Sequence, residues 1–500
     1  VAYMLADAGV KLLFLEKTVQ WQDICDACCE IEELQRVVMI NTLDQSNDDH
    51  CHAHLLVSLE DWLPALGETI NPTYHVNDDP HSLATIVYTS GTTGRPKGVM
   101  LSHNNILTNA DGCLQIVPIH PQDVLLSFLP LSHTFERTAG YYIPMMCGAT
   151  IAYARSIQLL QEDLLIIKPT ILVSVPRIYE RVYAGIQAKL ADGPDFSRKL
   201  FNFAVDVGYS RFEHQQGRGS WKPSHLLWPI LNKLVASKLM AKLGGHLRQA
   251  MSGGAPLSAE ISRVFIGLGL PILQGFGMTE SSPVACANQL NNNMPSSVGA
   301  SIPGVEVKLG ENDVLLIKGP NVMLGYWNNS EATKAVLSDD GWLNSGDVAT
   351  IDEQGRVTIT GRLKEIIVMS TGEKIPPSDV EAAILRDALF EQVMLVGEAR
   401  SFLAVLAVLN LDNWQLFCSK NKFDEDLKNQ TQRQQIEEII LERITHQIRE
   451  FPGYAKIRRV ALVPEPWTVE NKMLTPTLKL RRTKITEHHQ AEIDNFYEGH

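Results

Sequence analysis

No stretch of this 500-residue sequence approaches the ~20 consecutive apolar residues that a membrane-spanning helix requires. The longest apolar run, Phe402 to Leu409, has the length of a buried strand. Basic residues are also in short supply: 44 Lys and Arg against 57 Asp and Glu leave a formal net charge of −13. That balance argues against a general nucleic-acid binder, because phosphate backbones need a basic face. Local basic clusters survive within it, one being Lys479, Arg481, Arg482 and Lys484. The eight cysteines form no regular framework and no secretory signal pattern is visible, so a reducing cytoplasmic setting is expected.

A metal framework is lacking too. Cys25, Cys28, Cys29 and Cys51 lie near His50, His52 and His54, but without the paired ligand spacing of a zinc site. Cys25 to Cys29 reads as part of a helix with small apolar thiols, and the histidine run as a solvated loop.

What is present is organisation. Five hundred residues exceed one ordinary core, so at least two domains are expected. Short β-like runs at Val10–Leu15, Val37–Ile40, Leu83–Tyr88, Val124–Leu129 and Ile171–Val175 alternate with helical patterns, as in βαβ units with largely parallel sheets. Phe201 to His246 reads as helical and is rich in aromatic and basic residues. Between Val305 and Ile359 the texture changes to short strands with tight turns, among them Asp352-Glu-Gln-Gly355. A polar break, Gly361-Arg-Leu-Lys-Glu365, then introduces a small α+β portion whose Ile436, Ile439, Ile440 and Ile444 share one helix face.

The richest local signal is Tyr88-Thr-Ser-Gly-Thr-Thr-Gly-Arg-Pro-Lys-Gly-Val-Met-Leu-Ser-His103. It follows Leu83–Val87, which reads as a buried strand. Thr89, Ser90, Gly91, Thr92, Thr93 and Gly94 offer hydroxyls and unshielded backbone N–H groups, and Lys97 supplies a fixed cation. Such a loop suits a nucleotide triphosphate. Its spacing is not that of a Walker loop, and no Ser or Thr follows the lysine. Further on, Gln274-Gly-Phe-Gly-Met-Thr-Glu-Ser281 places glycines around an aromatic ring, and then a hydroxyl and a carboxylate that suit a hard cation such as Mg²⁺.

Taken whole, the Tyr88–His103 string resembles the phosphate loop of the adenylate-forming superfamily: acyl-CoA synthetases, luciferases and peptide-synthetase adenylation domains. Further elements follow in family order. Ser252-Gly253-Gly254-Ala255-Pro256-Leu257 resembles the strand-turn bordering adenine and the acyl pocket. The resemblance assigns Gln274, Gly275, Phe276, Gly277, Met278 and Thr279 to the nucleotide, with Phe276 where tyrosine is commoner, and Glu280 with Thr93 to Mg²⁺. Asp347, after Ser345 and Gly346, matches the ribose-binding aspartate, and Arg362 its companion arginine. Lys479 in Leu474-Thr-Pro-Thr-Leu-Lys479 matches the catalytic lysine, with Lys472 as the competing candidate. His133 in Leu129-Pro-Leu-Ser-His-Thr-Phe-Glu-Arg137 matches a residue of the substrate channel.

The Thr-Pro-Thr-x-Lys form and the helical insertion point to the long-chain fatty acid–CoA ligase branch. The resemblance implies an α/β fold: a large N-terminal adenylation domain over residues 1–361, with βαβ-type sheets and a small barrel-like subdomain. A hinge at 362–364, turning on Lys364, leads to a mobile α+β domain over 365–500, with Gly372 and Lys374 swinging toward the coenzyme A channel. The implied reaction is AMP-forming acid–thiol ligation of a long-chain fatty acid, with ATP, Mg²⁺ and coenzyme A. The alternatives are a fatty acyl-AMP ligase serving a carrier protein, or an inactive lipid-binding relative. Peripheral contact with the inner membrane face is compatible with a lipid substrate. Val1 to Gly9 reads as the last turns of a helix feeding a strand, and family members carry a further segment before this point, so an N-terminal truncation is expected.

Overall fold

The computed structural model describes residues 1–27, 31–41, 53–64, 78–89, 95–191, 193–424, 430–474 and 479–498. The β-like runs of the first half become strands close to their expected bounds, and those at Val124 and Ile171 join one mixed seven-stranded sheet. Its spatial order is Ala300–Ser301, Val284–Ala287, Ile272–Gly277, Gln249–Ser252, Ile171–Ser174, Val124–Ser127 and Thr150–Tyr153. The last five run parallel; Val284–Ala287 pairs antiparallel to them, and Ala300–Ser301 pairs antiparallel to Val284–Ala287. Ile171, Leu172 and Val173 are all but wholly buried, as expected of parallel strands covered on both faces. A smaller parallel sheet holds Leu12–Leu15, Arg36–Met39 and Leu56–Ser58.

One strand departs from expectation. Leu83–Thr89 is not a buried parallel strand but half of an antiparallel hairpin with Lys97–Ser102. Only Val87 of its apolar run is buried; in the partner strand Val99 and Leu101 face the core. The hairpin gains a third strand from Gly325–Tyr326. The first helix, Ala2–Asp7, braces it from outside. The Tyr88 hydroxyl donates to the Asp7 carboxylate at 2.5 Å, and Trp327 Nε1 donates to the Asp7 carbonyl at 2.8 Å.

The short strands after Val305 form an antiparallel sheet of four: Glu306–Leu309, Val314–Lys318, Leu343–Ile351 and Val357–Arg362. Asp352 to Gly355 makes the tight turn between the last two, with Gly355 at φ +75°. Beyond Arg362 a smaller α+β domain has its own core. There the strands Phe390–Val396, Leu403–Leu409 and Ile457–Val463 are covered by helix Gln430–Gln447, which buries Ile436, Ile440 and Ile444. Among the described residues no helix is long and apolar enough to cross a membrane.

The insertion starts with helix Asp195–Gln215, which lies against helix Ala259–Gly267 with backbones nearly touching. A Cβ on Gly208 would stand 1.8 Å from the Gly267 carbonyl oxygen, and one on Gly267 would stand 2.6 Å from that of Val205. No side chain fits between them at the closest point, and Phe201 and Val205 pack with Val264 beside it. Gly208→Ala must force them apart and is expected to destabilise the protein by about 1–3 kcal/mol, seen as a lowered unfolding midpoint. An unchanged midpoint would show that the crossing is loose.

Candidate active site

Hairpin geometry sets the first part of the site. Thr89 pairs with Lys97, so Ser90, Gly91, Thr92, Thr93 and Gly94 belong to the connection between the two strands and lie outside the described residues. Cys28, Cys29, Cys51, His50 and His52 of the histidine–cysteine region lie outside them too, whereas Cys25 sits half-buried in helix Thr18–Ala27. Gly98 is a required glycine: a Cβ there would stand 2.8 Å from Ile86 Cγ2 and 3.1 Å from the Tyr88 ring.

Lys97 points its ammonium at the face of Tyr326, 4.8 Å from the ring centre. The hydroxyl of the same Tyr326 donates to Glu280 Oε1 at 2.7 Å, and Glu280 is 8% exposed. Tyr326 thus links the loop cation to the candidate metal-binding carboxylate. Burial, and then Glu280 itself, push the Tyr326 phenol well above its ordinary value, so it stays a donor. No local pattern points to this residue, because the dipeptide Gly325-Tyr326 becomes meaningful only once it pairs with Val99 and Met100.

Phe276 and Gly277 end the sheet strand at a bulge, where a Cβ on Gly277 would fall 1.9 Å from the Pro283 carbonyl oxygen. Thr279 to Ser281 then form one 3₁₀ turn that presents Glu280. The Gln274 side chain is engaged within the protein. Its Oε1 accepts from the Leu257 N–H at 3.2 Å, and its Nε2 donates to the Pro295 carbonyl at 2.6 Å. Its amide is spent on holding the Ser252–Leu257 turn to the sheet. In that turn Gly254 takes φ +81°, and Gly253 lies where a Cβ would stand 3.0 Å from Phe135.

Asp347 and Arg362 face each other across one rung of the antiparallel ladder, with Arg362 Nε donating to Asp347 Oδ1 at 3.0 Å. Asp347 is 7% exposed, and burial raises its pKa while Arg362 and Lys479 work against that rise. Ser345 is structural: its hydroxyl donates to the Leu315 carbonyl at 2.7 Å and accepts from the Asp347 N–H at 3.1 Å. Gly346 supplies φ +72° between them.

Lys479 reaches this pair from the other domain. Its side chain keeps solvent-accessible surface, yet protein crowds it closely enough to hold the ammonium below the ordinary lysine range. Lost bulk water is the larger cause and Arg362 the second, with Asp347 and Glu365 opposing them. Lys479 is also felt by His133, whose pKa is lowered by burial first and by Lys479 second. His133 Nδ1 accepts from the Phe135 N–H at 3.2 Å, capping the short helix Thr134–Glu136. Three segments far apart in sequence thus come within electrostatic reach of one another. Lys472, the competing candidate, stands exposed in a turn at φ +63°.

Lys364 is exposed in the turn after Arg362, and Gly372, at φ +92°, and Lys374 are exposed on the ladder of Ile367–Val368 with Lys374–Ile375. The segment carrying Lys479 is anchored by Arg482, which donates to Glu381 at 2.5 Å and lies 3.8 Å from Glu365. A second bridge joins the domains directly: Arg386 lies 3.7 Å from Glu260, whose other oxygen accepts from the Tyr183 hydroxyl at 2.9 Å.

An α/β fold with a hydroxyl-rich hairpin turn, a buried carboxylate and a lysine brought from a second domain defines a nucleotide-handling enzyme of two domains. The sequence pattern of the AMP-binding enzyme family matches residues 1–327, and that of the AMP-binding enzyme C-terminal domain matches residues 364–500. The chain belongs to the AMP-binding enzyme family. A long-chain-fatty-acid–CoA ligase, FadD15, from Mycobacterium bovis is 30% identical, over 99% of this chain and 82% of that protein. From Arabidopsis thaliana, the probable acyl-activating enzyme 16 is 31% identical and the long-chain-fatty-acid–[acyl-carrier-protein] ligase AEE15 is 30% identical. The chain spans 64% and 62% of the length of those two relatives. Among solved structures, the adenylation domain of a carboxylate reductase from Mycobacterium chelonae aligns at a TM-score of 0.71 over 99% of this chain and 74% of that one. The ATP-bound MatB from Rhodopseudomonas palustris aligns at 0.66 over 98% and 81%. Both are 20% identical to this chain, and the likeness is one of fold.

One buried group near His133 had no assigned role. Glu136 is 1% exposed, and neither carboxylate oxygen has a hydrogen-bond partner. Burial pushes its pKa up to about 7. Relative to an ordinary value of 4.5, the folded protein therefore holds this proton more tightly. Stability from that proton is full below the ordinary value and is lost as pH rises through about 7. Glu136→Gln removes the titration, so its midpoint should gain on the parent's between pH 5 and 8, by up to about 3 kcal/mol. Parallel stability curves for the two proteins would refute the assignment.

Proposed function

We propose that this protein activates a long-chain fatty acid with ATP, through an acyl-adenylate, to acyl-coenzyme A, releasing pyrophosphate and AMP. What carries the reading is the Asp347–Arg362 pair at the domain boundary, with Lys479 of the small domain and His133 of the large one within electrostatic reach of each other. The names of the relatives support the substrate class.

The chemical difficulty is an anion attacking an anion. A carboxylate must approach the α-phosphate in line with the departing pyrophosphate, so catalysis rests on positioning and charge cancellation. Asp347 accepts hydrogen bonds from the ribose hydroxyls, and Arg362 holds that carboxylate in register. Lys97 and the Thr89–Gly94 turn receive the outer phosphates. Glu280, buried but with one oxygen left after Tyr326, fits the sparing carboxylate coordination that Mg²⁺ takes beside phosphates; Thr93 is its proposed partner, and the ion would neutralise charge on the leaving pyrophosphate. Lys479 bridges the substrate carboxylate and the α-phosphate. His133 stays neutral and lines the acyl route, with Gly253, Gly254 and Ala255 opposite.

For the second half-reaction the small domain turns about Lys364, with residues 1–361 and 365–500 as the two bodies. Lys479 withdraws, and Gly372 and Lys374 come to the pantetheine channel, where the thiol of coenzyme A displaces AMP.

Pyrophosphate and AMP release from ATP with palmitate, measured with and without coenzyme A, tests the reading. AMP release should require all three substrates. Pyrophosphate release without coenzyme A turnover would instead favour transfer to a carrier protein. Lys479→Ala should slow pyrophosphate release by about 10²–10³-fold; an unchanged rate would remove Lys479 from the mechanism. Lys364→Pro should spare pyrophosphate release and abolish thioester formation, whereas equal loss of both would rule out the hinge.

A further inference from the structure

The insertion carries a charge asymmetry that its packing does not use. From His214 to Ala259 the chain has no Asp or Glu, although the whole protein carries a net charge of −13. The segment Pro223–Leu243 is almost continuously helical, passing through short 3₁₀, α and π turns. Its inward face is satisfied: Leu231, Ala236 and Leu243 are buried. Its outward face holds Leu226, 71% exposed, Ile230, 58%, and Leu234, 47%, one helical turn apart, with Leu227 beside them at 43%. Lys233, Lys238 and Lys242 continue the same face, and all three are exposed. Lys242 also sits against Lys189, and the mutual repulsion lowers its pKa.

The next apolar surface lies alongside. Helix Leu160–Ile167 adjoins the end of this segment, where a Cβ on Gly244 would stand 2.4 Å from the Leu164 carbonyl oxygen. It exposes Leu165 at 45% and Ile166 at 67%. Trp221, 53% exposed, stands at the other end.

A surface helix that needed only to be solvated would put charges where these leucines stand. An apolar row flanked by lysines matches instead a medium that is oily beneath and anionic on top. Lysine stems cover apolar surface while their heads reach phosphates, and an indole ring suits the boundary between the two. We propose that the outward face of Pro223–Leu243 docks on a bilayer surface carrying anionic lipid headgroups. The proposed fatty-acid activity gives such contact a purpose, but the inference rests on this surface alone.

Sedimentation with phosphatidylcholine vesicles, with and without phosphatidylglycerol, tests it in the absence of ATP and fatty acid. The parent protein should sediment with the anionic vesicles and be released by high salt. Leu226→Ser with Ile230→Ser should weaken binding at least tenfold. Charge reversal by Lys233→Glu, Lys238→Glu and Lys242→Glu should weaken it by about a hundredfold and erase the preference for phosphatidylglycerol. Both variants change only exposed positions, so unfolding midpoints and turnover of a water-soluble shorter acid should match the parent. Vesicle binding that is absent in the parent, or equal in the variants, overturns the proposal. So does a parent that ignores vesicles but binds an acidic carrier protein through the same lysines. Failure of the ligase reading is separate, since it would leave vesicle binding intact while pyrophosphate release was missing.

Discussion

Lys479 stands where its own charge is disfavoured. Crowding by protein and the nearby Arg362 both work against the ammonium, and Asp347 and Glu365 only partly answer them. Lys479 and Arg362 are matched by Asp347 and Glu365, so what chiefly disfavours the ammonium is lost water. Under the proposed reaction, a phosphate and a carboxylate arriving together at Lys479 would replace that water as partners, and their binding would then favour the very domain orientation that brings the lysine in. Tight anchoring follows from the same constraint. Arg482, three residues on, is tied to Glu381 and Glu365 within its own domain, so that Lys479 can be pressed into an unfavourable place without its segment peeling away.

The other side of the site is built on the opposite principle. His133 is held below its ordinary pKa and Glu136 is raised to about 7, so this segment gains its charge only as pH rises through about 7. Burial does both, favouring the neutral base and the neutral acid alike. Permanent charge is thus concentrated at Lys97, Glu280, Asp347 and Arg362, while the His133–Glu136 wall is neutral below about pH 7. A substrate with one anionic end and an apolar tail matches that division.

Much of this was legible in the sequence because it is local. Period-two apolar runs and glycine turns act over a few residues, so the strands near Val37, Val124 and Ile171 and the Asp352–Gly355 turn could be read directly. The pairing of Asp347 with Arg362 is nearly local as well, across one hairpin. What escaped depends on partners far along the chain. Leu83–Val87 has the composition of a buried strand, and only its pairing with Lys97–Ser102 shows that the burden of burial falls on Val99 and Leu101. Tyr326 gains its meaning from Glu280, and Gln274 from Leu257 and Pro295. Glu136 looked like any surface carboxylate, since nothing in a sequence announces that a charged residue has been sealed without a partner.

Helix Ala259–Gly267 touches both the small domain and the insertion. Near its start Glu260 takes Tyr183 and, across the domain boundary, Arg386; at its end Gly267 fits the crossing with the insertion. Contact alone does not couple them. A short rigid helix passes free energy between its ends only if it has two packed positions that both ends distinguish. The glycine crossing leaves it almost no room to take a second position. The insertion is therefore fixed to the large domain. Under the proposed reaction and the proposed docking, a membrane-facing surface is best placed there, because docking on the domain proposed to turn would drag the contact through lipid in each half-reaction.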